Sequence, residues 1–393
     1  MDTMSSGVSR RRARFDYRIG VVTHVPHWQG EHGVPLAYEP YVREMEIWAG
    51  LFREVEICAP RAEGPLRGNQ AAYQAPNIRW HPVDYSMGYG TRAQMRRAAQ
   101  LPGLLLALNR LVRQSDIVLL RAPGHPALFA RVLADARGVR HITKWAGFFG
   151  DFPGERIPAR IERALARRSR GPVLIYGPAA QSHLVSFPPA LMSVAELERG
   201  AVLAQRRAWN PPWRILSVGR LLNVKGFDLA LRGLGRLRVL DPDLAWAFTL
   251  IGDGPEAEAL RQLAVDVGIA DRVHFAGAQN FGVVQERYAE AHAVIMPGVV
   301  EGWPKIIAEA WAHAAVPVAA RAGLVPWIIG DGGAGVIFDP TPDGLGIALR
   351  ELLSSPTRMR ALSARGPACA AELSLESFTS RLERVLVDEC GLS

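Results

Sequence analysis

The chain alternates short apolar runs with amphipathic stretches, and it does so twice. The first series opens at Arg18-Ile19-Gly20-Val21-Val22-Thr23, followed by a helix over about 40–52 and a strand over 55–60. More strand-like runs come at 117–120, 141–144 and 173–176. The pattern breaks at Asn210-Pro211-Pro212 and then restarts. Strands at 213–218, 246–251, 273–275, 293–296 and 316–319 now alternate with helices at 227–238, 255–266, 284–291 and 305–315. Alternation of this kind builds parallel sheets with helices on both faces, and 393 residues suffice for two such cores. The expected fold class is therefore α/β, with two Rossmann-like doubly wound domains facing a cleft. The sequence divides into a basic tail (1–16), a first domain (17–206) and a second domain (207–374), with a final helix (375–393) returning to the first.

Ligands of such sheets bind at the carboxyl ends of strands, so the loops that follow strands carry the information. Three in the second half do. In Gly219-Arg220-Leu221-Leu222-Asn223-Val224-Lys225-Gly226, two cations precede a helix N-terminus, a combination suited to a diphosphate. In Gly252-Asp253-Gly254-Pro255, glycines permit a tight turn and a close approach to a ligand. The third loop is Met296-Pro297-Gly298-Val299-Val300-Glu301-Gly302-Trp303-Pro304-Lys305. Pro304 suits the first turn of a helix, leaving the N–H groups of Gly302, Trp303 and Lys305 to face a ligand. Glu309 lies one turn further on, in a helix otherwise mostly apolar, and so needs a partner. Ribose hydroxyls would serve; an ion pair with Lys305 on the helix surface is the alternative.

Charge is unevenly placed. Residues 1–206 hold 28 Arg and Lys against 17 Asp and Glu, whereas the remainder holds 18 against 21. Such a basic half suits an anionic partner, or it is simply solvated charge. The segments 94–113 and 156–170 mix arginines with apolar residues and are expected to lie on anionic membrane. Of the basic residues only Lys144, Lys225 and Lys305 are lysines, marking candidate sites for a compact ammonium. Three scattered cysteines suggest neither a disulfide framework nor a metal site, and no apolar run is long enough to span a membrane. The expected location is the cytoplasm, peripheral to the inner face of the membrane.

The set Gly219-Arg220…Lys225-Gly226, Gly252-Asp253-Gly254-Pro255, Glu301-Gly302-x-Pro304 with Glu309, and Gly323-Leu324-Val325-Pro326 resembles the retaining GT-B glycosyltransferases of family 4, over about residues 213–340. That resemblance implies transfer of a hexose from a GDP- or UDP-sugar, with retention and without a metal or other cofactor. Its acceptor would be a lipid-linked glycan or polysaccharide of the cell envelope. Arg220 and Lys225 would hold the diphosphate, Glu301 and the N–H groups after it the sugar, and Glu309 the ribose. The loop after Phe275 would seat the base. In the first half the family's glycine pair corresponds to Gly30 and Gly33. Its usual histidine is replaced by Ala146, leaving Lys144, His24 and His125 as candidate substitutes on the acceptor side. An epimerase of the same fold and a non-catalytic glycan- or membrane-binding scaffold are the alternatives. No nucleic-acid-binding motif is present.

Overall fold

The computed structural model describes residues 13–62, 64, 66, 69–86, 90–151, 155, 157–299, 302–330 and 333–393. Two compact units emerge. The first comprises residues up to Ile175, Ala179–Phe187 and Thr379–Ser393; the second comprises Tyr176–Pro178 and Pro188–Phe378.

The first unit is built on seven strands, in spatial order Leu184–Ser186, Val173–Tyr176, Arg140–Phe148, Ile117–Ala122, Phe15–Val22, Phe52–Pro60 and Ile78–Val83. The chain starts near the middle and builds first toward one edge, then toward the other. Central strands of such a sheet are covered on both faces and read as continuous apolar runs; Ile19, Val21, Val22 and all of Ile117-Val118-Leu119-Leu120 are buried. The order reverses between Phe15–Val22 and Ile117–Ala122, which pair in parallel.

In the second unit the order is Val273–Gly277, Trp246–Ile251, Trp213–Val218, Ala293–Met296, Val316–Ala320 and Val336–Phe338. It reverses between Trp213–Val218 and Ala293–Met296, again a parallel pair. Both sheets are thus of the doubly wound kind that the alternation implied.

Several details differ from expectation. The stretch after the first strand forms a small antiparallel sheet of Trp28–Gln29, Pro35–Tyr38 and Gln70–Ala72. The first unit also ends earlier than residue 206. Helix Val194–Ala204, started by a reciprocal cap between Ser193 and Glu196, belongs to the second unit. Its Leu197 is buried with Ile307 and Trp311, and a Cβ on Gly200 would stand 2.7 Å from the Ala312 carbonyl oxygen, so only glycine allows that approach. Buried Arg207 ties the following segment down, donating to the carbonyls of Ala289 (2.9 Å), Ala314 (2.6 Å) and His313. Burial, and then Arg214, lowers its guanidinium to about 10. The Asn210-Pro211-Pro212 break is therefore a loop within the second unit. Helix Lys305–Ala312 stops short of residue 315, because Ala314 takes the left-handed conformation, φ 50°.

Candidate functional site

Three loops of the second unit meet at the carboxyl ends of adjacent strands, and glycines make the meeting possible. Gly252 has φ +146°, and a Cβ there would stand 1.8 Å from the Gly219 carbonyl oxygen; a Cβ on Gly254 would stand 2.3 Å from that of Leu221. The two loops are joined by backbone hydrogen bonds from Leu221 N–H to Asp253 O (2.9 Å) and from Glu256 N–H to Leu221 O (3.2 Å). Gly252 and Gly254 are thus needed for loop-to-loop packing. Gly226, at φ +69°, ends a one-turn 3-10 helix (Asn223–Lys225) and precedes helix Phe227–Leu240. A Cβ there would lie 3.0 Å from the Pro297 carbonyl oxygen. Arg220 is exposed and Lys225 half-buried on this junction.

Pro304 stands immediately before helix Lys305–Ala312, one position earlier than the first-turn placement expected of it. Lys305 opens the helix. The Trp303 ring packs edge-on to Tyr176 (5.9 Å between centroids) and Trp327 (6.3 Å), and Gly302 is half-buried. Glu301 lies outside the described residues.

Glu309 accepts a 2.6 Å hydrogen bond from the hydroxyl of fully buried Tyr288. Burial pushes its carboxyl above the ordinary range, against the pull of that bond and of Lys305. The Tyr288 ring stacks on His313 at 5.6 Å, whose Nδ1 lies 2.8 Å from the Glu309 carbonyl oxygen. Its hydrogen-bond partner in the unit is therefore a tyrosine, which no motif signalled. Phe275 packs on the core, with Arg261 over its ring at 5.5 Å. Only the residues after it, closed by Asn280 capping the next helix, stand at the carboxyl end of the sheet.

The first unit corrects one candidate, Lys144, and shows the surroundings of the others. Lys144 is 1% exposed and ion-paired with Glu44 (2.7 Å), which also accepts two 3.1 Å bonds from Arg121. Burial alone would raise the Glu44 carboxyl, but Arg121 and Lys144 together hold it down at about 2. Lys144 thus belongs to a buried charge cluster and is not open to a substrate. Gly30 and Gly33 shape the hairpin turn between Gln29 and Pro35: a Cβ on Gly30 would clash with Leu36 and the Val34 carbonyl, and Gly33 has φ +82°. His24 is half-buried, its pKa lowered by burial and then by Arg121. His125 opens helix His125–Arg137, 3.3 Å from the Tyr85 hydroxyl, and is likewise lowered by burial. Neither sequence nor motif signalled Glu162, a buried carboxylate that accepts from the Gly124 N–H (2.6 Å) and so fixes the loop bearing His125. A cavity of about 980 Å³ opens beside the ends of Phe52–Pro60 and Ile78–Val83, with Trp28, Tyr38, Arg61, Asn69, Tyr85 and Arg96 in its wall.

Among the described residues no group of three or more His, Cys, Asp or Glu could hold a metal ion, and no helix is long and apolar enough to cross a membrane.

Residues 203–368 match the family described as glycosyl transferases group 1. The chain is 33% identical over 160 residues to a GDP-mannose-dependent alpha-(1-6)-phosphatidylinositol monomannoside mannosyltransferase of Mycolicibacterium smegmatis, covering 39% of this chain and 41% of that protein. It is 27% identical over 177 residues to the lipopolysaccharide core biosynthesis glycosyltransferase LpsE of Rhizobium meliloti, covering 44% and 50%. The chain spans about half the length of these curated relatives. In structure it is similar to HepE of Anabaena, solved with UDP and glucose, at a TM-score of 0.65 and 14% identity over 94% of this chain and 99% of that one. The fold is that of the GT-B glycosyltransferases, and the match to the glycosyl transferases group 1 family is confined to residues 203–368.

Proposed function

We propose that the protein is a retaining glycosyltransferase of family 4, moving a hexose from a GDP- or UDP-sugar to a lipid-linked or polysaccharide acceptor at the inner face of the membrane. The observation that carries this reading is the convergence of the 219–226, 252–256 and 297–299 loops at the strand ends, with Arg220 and Lys225 on the first of them and Glu309 on helix Lys305–Ala312, which follows the third. Breaking the glycosidic bond leaves growing negative charge on the departing diphosphate. Arg220, Lys225 and the amino end of helix Lys305–Ala312 would meet that charge in place, at no cost of rearrangement and without a metal. Glu309, held by Tyr288, would accept from the ribose, while Glu301 and the N–H groups of Gly302 and Trp303 would hold the sugar. The acceptor would enter the aromatic- and arginine-lined cavity of the first unit. Two relatives' names support the donor class, one GDP-mannose-dependent and one solved with UDP.

The test is incubation with GDP- and UDP-hexoses and a membrane-lipid extract, with and without excess EDTA. The expected result is nucleoside diphosphate release that depends on acceptor and survives chelation to within a few-fold. Failure to bind or consume any nucleotide sugar would overturn the reading; loss of activity restored by magnesium would remove the charge-neutralising role from Arg220 and Lys225.

A further inference from the structure

The cavity of about 980 Å³ in the first unit is walled by three separate elements. The small antiparallel sheet supplies Trp28 and Tyr38. The Trp28 ring is fixed by its indole N–H, which donates to the Gly64 carbonyl at 3.1 Å, and Tyr38 stands in register with Gln70 on the next strand. The ends of Phe52–Pro60 and Ile78–Val83 supply Arg61 and buried Tyr85, with the Arg61 guanidinium 5.7 Å over the Trp80 ring. Helix Thr91–Gln114 supplies Arg96 and Gln100. Its Leu104, Leu108 and Leu111 are core residues, so most of the leucines expected to meet lipid instead hold this wall in place. Gln100 accepts from the Ser86 N–H at 2.8 Å through its carbonyl oxygen, which leaves its amide N–H groups to donate elsewhere. Arg61 and Arg96 are exposed, and among the described residues neither has a carboxylate within ion-pair distance, unlike Arg18, Arg53 and Arg121 of the same unit. Against these two cations the wall sets one acid, exposed Asp84.

We propose that this cavity binds a saccharide carrying a negative charge, a carboxylate on a sugar ring or a phosphate esterified to one, and so selects an acidic acceptor over a neutral one. The inference rests on the reading of this cavity as the acceptor's and names that acceptor's chemistry. Rigid aromatic faces take the apolar C–H side of sugar rings, and carboxamides such as Gln70 and Gln100 both donate to and accept from adjacent hydroxyls. A volume near the top of the roughly 300–1,000 Å³ usual for small-molecule sites leaves room for an oligosaccharide. The guanidinium fork matches a carboxylate or phosphate with two parallel N–H donors, a bond stronger than any it makes to a hydroxyl. A neutral glycan would leave both forks unmatched, whereas one anionic group converts them into selectivity.

The experiment is calorimetric titration of the full chain, with no sugar nucleotide present, using two matched pairs of probes. One pair is trigalacturonic acid and its methyl ester; the other is maltotriose 1-phosphate and maltotriose. At least one acidic member is expected to bind about tenfold or more tightly than its neutral partner, the effect of one charge-assisted contact. A preference in the first pair assigns the charge to a ring carboxylate, and a preference in the second to a phosphate at the reducing end. Arg61→Gln with Arg96→Gln should remove the preference and leave the melting temperature unchanged, since both side chains are exposed. Equal affinity within both pairs, a preference that survives the double variant, or no binding of any of the four would overturn the proposal. So would inorganic phosphate alone binding as tightly as maltotriose 1-phosphate, since the site would then recognise an anion and no sugar. Because binding is read without turnover, a chain that prefers the acidic probe but releases no nucleoside diphosphate from any sugar nucleotide would count against the transferase reading alone.

Discussion

Replacing Glu44 with glutamine tests whether Lys144 belongs to the fold or to the chemistry. The carboxylate sits 7% exposed between Arg121 and Lys144. Its pKa falls from 4.5 to about 2, which at 1.36 kcal/mol per unit corresponds to about 3 kcal/mol of native-state stability. Breaking a buried pair by removing one partner costs about 3–5 kcal/mol by independent measure, because the remaining charge is left uncompensated. Glu44→Gln keeps the shape and leaves two buried cations facing each other, so a loss of about 3 kcal/mol is expected at pH 7. The sign of the pH dependence follows from the depressed pKa. The contribution is fully present above pH 4.5 and lost as pH falls toward 2, so the gap between wild type and variant should narrow below pH 4.5. Equilibrium denaturant unfolding at pH 7 and at pH 3 measures both quantities. Lys144→Met is the companion variant: it leaves the Glu44–Arg121 pair intact and should cost less than Glu44→Gln. A Glu44→Gln protein within about 0.5 kcal/mol of wild type at pH 7, or a gap unchanged at pH 3, would refute the reasoning.

Two further outcomes are expected. Tyr288→Phe removes the hydroxyl that steadies Glu309, a charge-assisted bond worth about 1.5–3 kcal/mol. The carboxyl, already raised by burial, should titrate higher still; calorimetry should then show nucleoside-diphosphate affinity about tenfold weaker at pH 7, with the deficit widening as pH falls, and an affinity equal to wild type at both pH 5 and pH 8 would remove Glu309 from the site. Ala314→Gly should stabilise the protein by roughly 0.5–1 kcal/mol, since a left-handed alanine costs about 1–2 kcal/mol and glycine recovers it less its own backbone entropy; a lower melting temperature would show that the φ of 50° is not strained.

The sequence by itself determined the two doubly wound sheets, because strand–helix alternation and apolar runs buried on both faces are local signals that nothing distant overrides. Trp213–Val218, Trp246–Ile251, Ala293–Met296 and Val316–Ala320 fall where periodicity put them. The loops that gather at the strand ends were legible for the same reason: Arg220 and Lys225 lie on the loop after Trp213–Val218, and Glu309 lies on the helix that follows Ala293–Met296, as the alternation implied. What tertiary structure alone decided were the partners of buried polar groups. Lys144 reads as a lone lysine at the end of a strand, but Glu44, a hundred residues earlier, meets it on the adjacent layer and closes it off. Tyr288 finds Glu309 from the preceding helix, and Gly252 is demanded by the carbonyl of Gly219, which belongs to the neighbouring strand's loop. The face of each amphipathic helix was also undecided by sequence: periodicity shows that a stripe exists, whereas packing determined that Leu104 and Leu108 turn inward and Ile157 and Ile161 turn outward. Each of these is a pairing between residues far apart in the chain, and a pattern confined to neighbouring residues carries no information about which distant group will supply the missing charge, hydrogen bond or apolar surface.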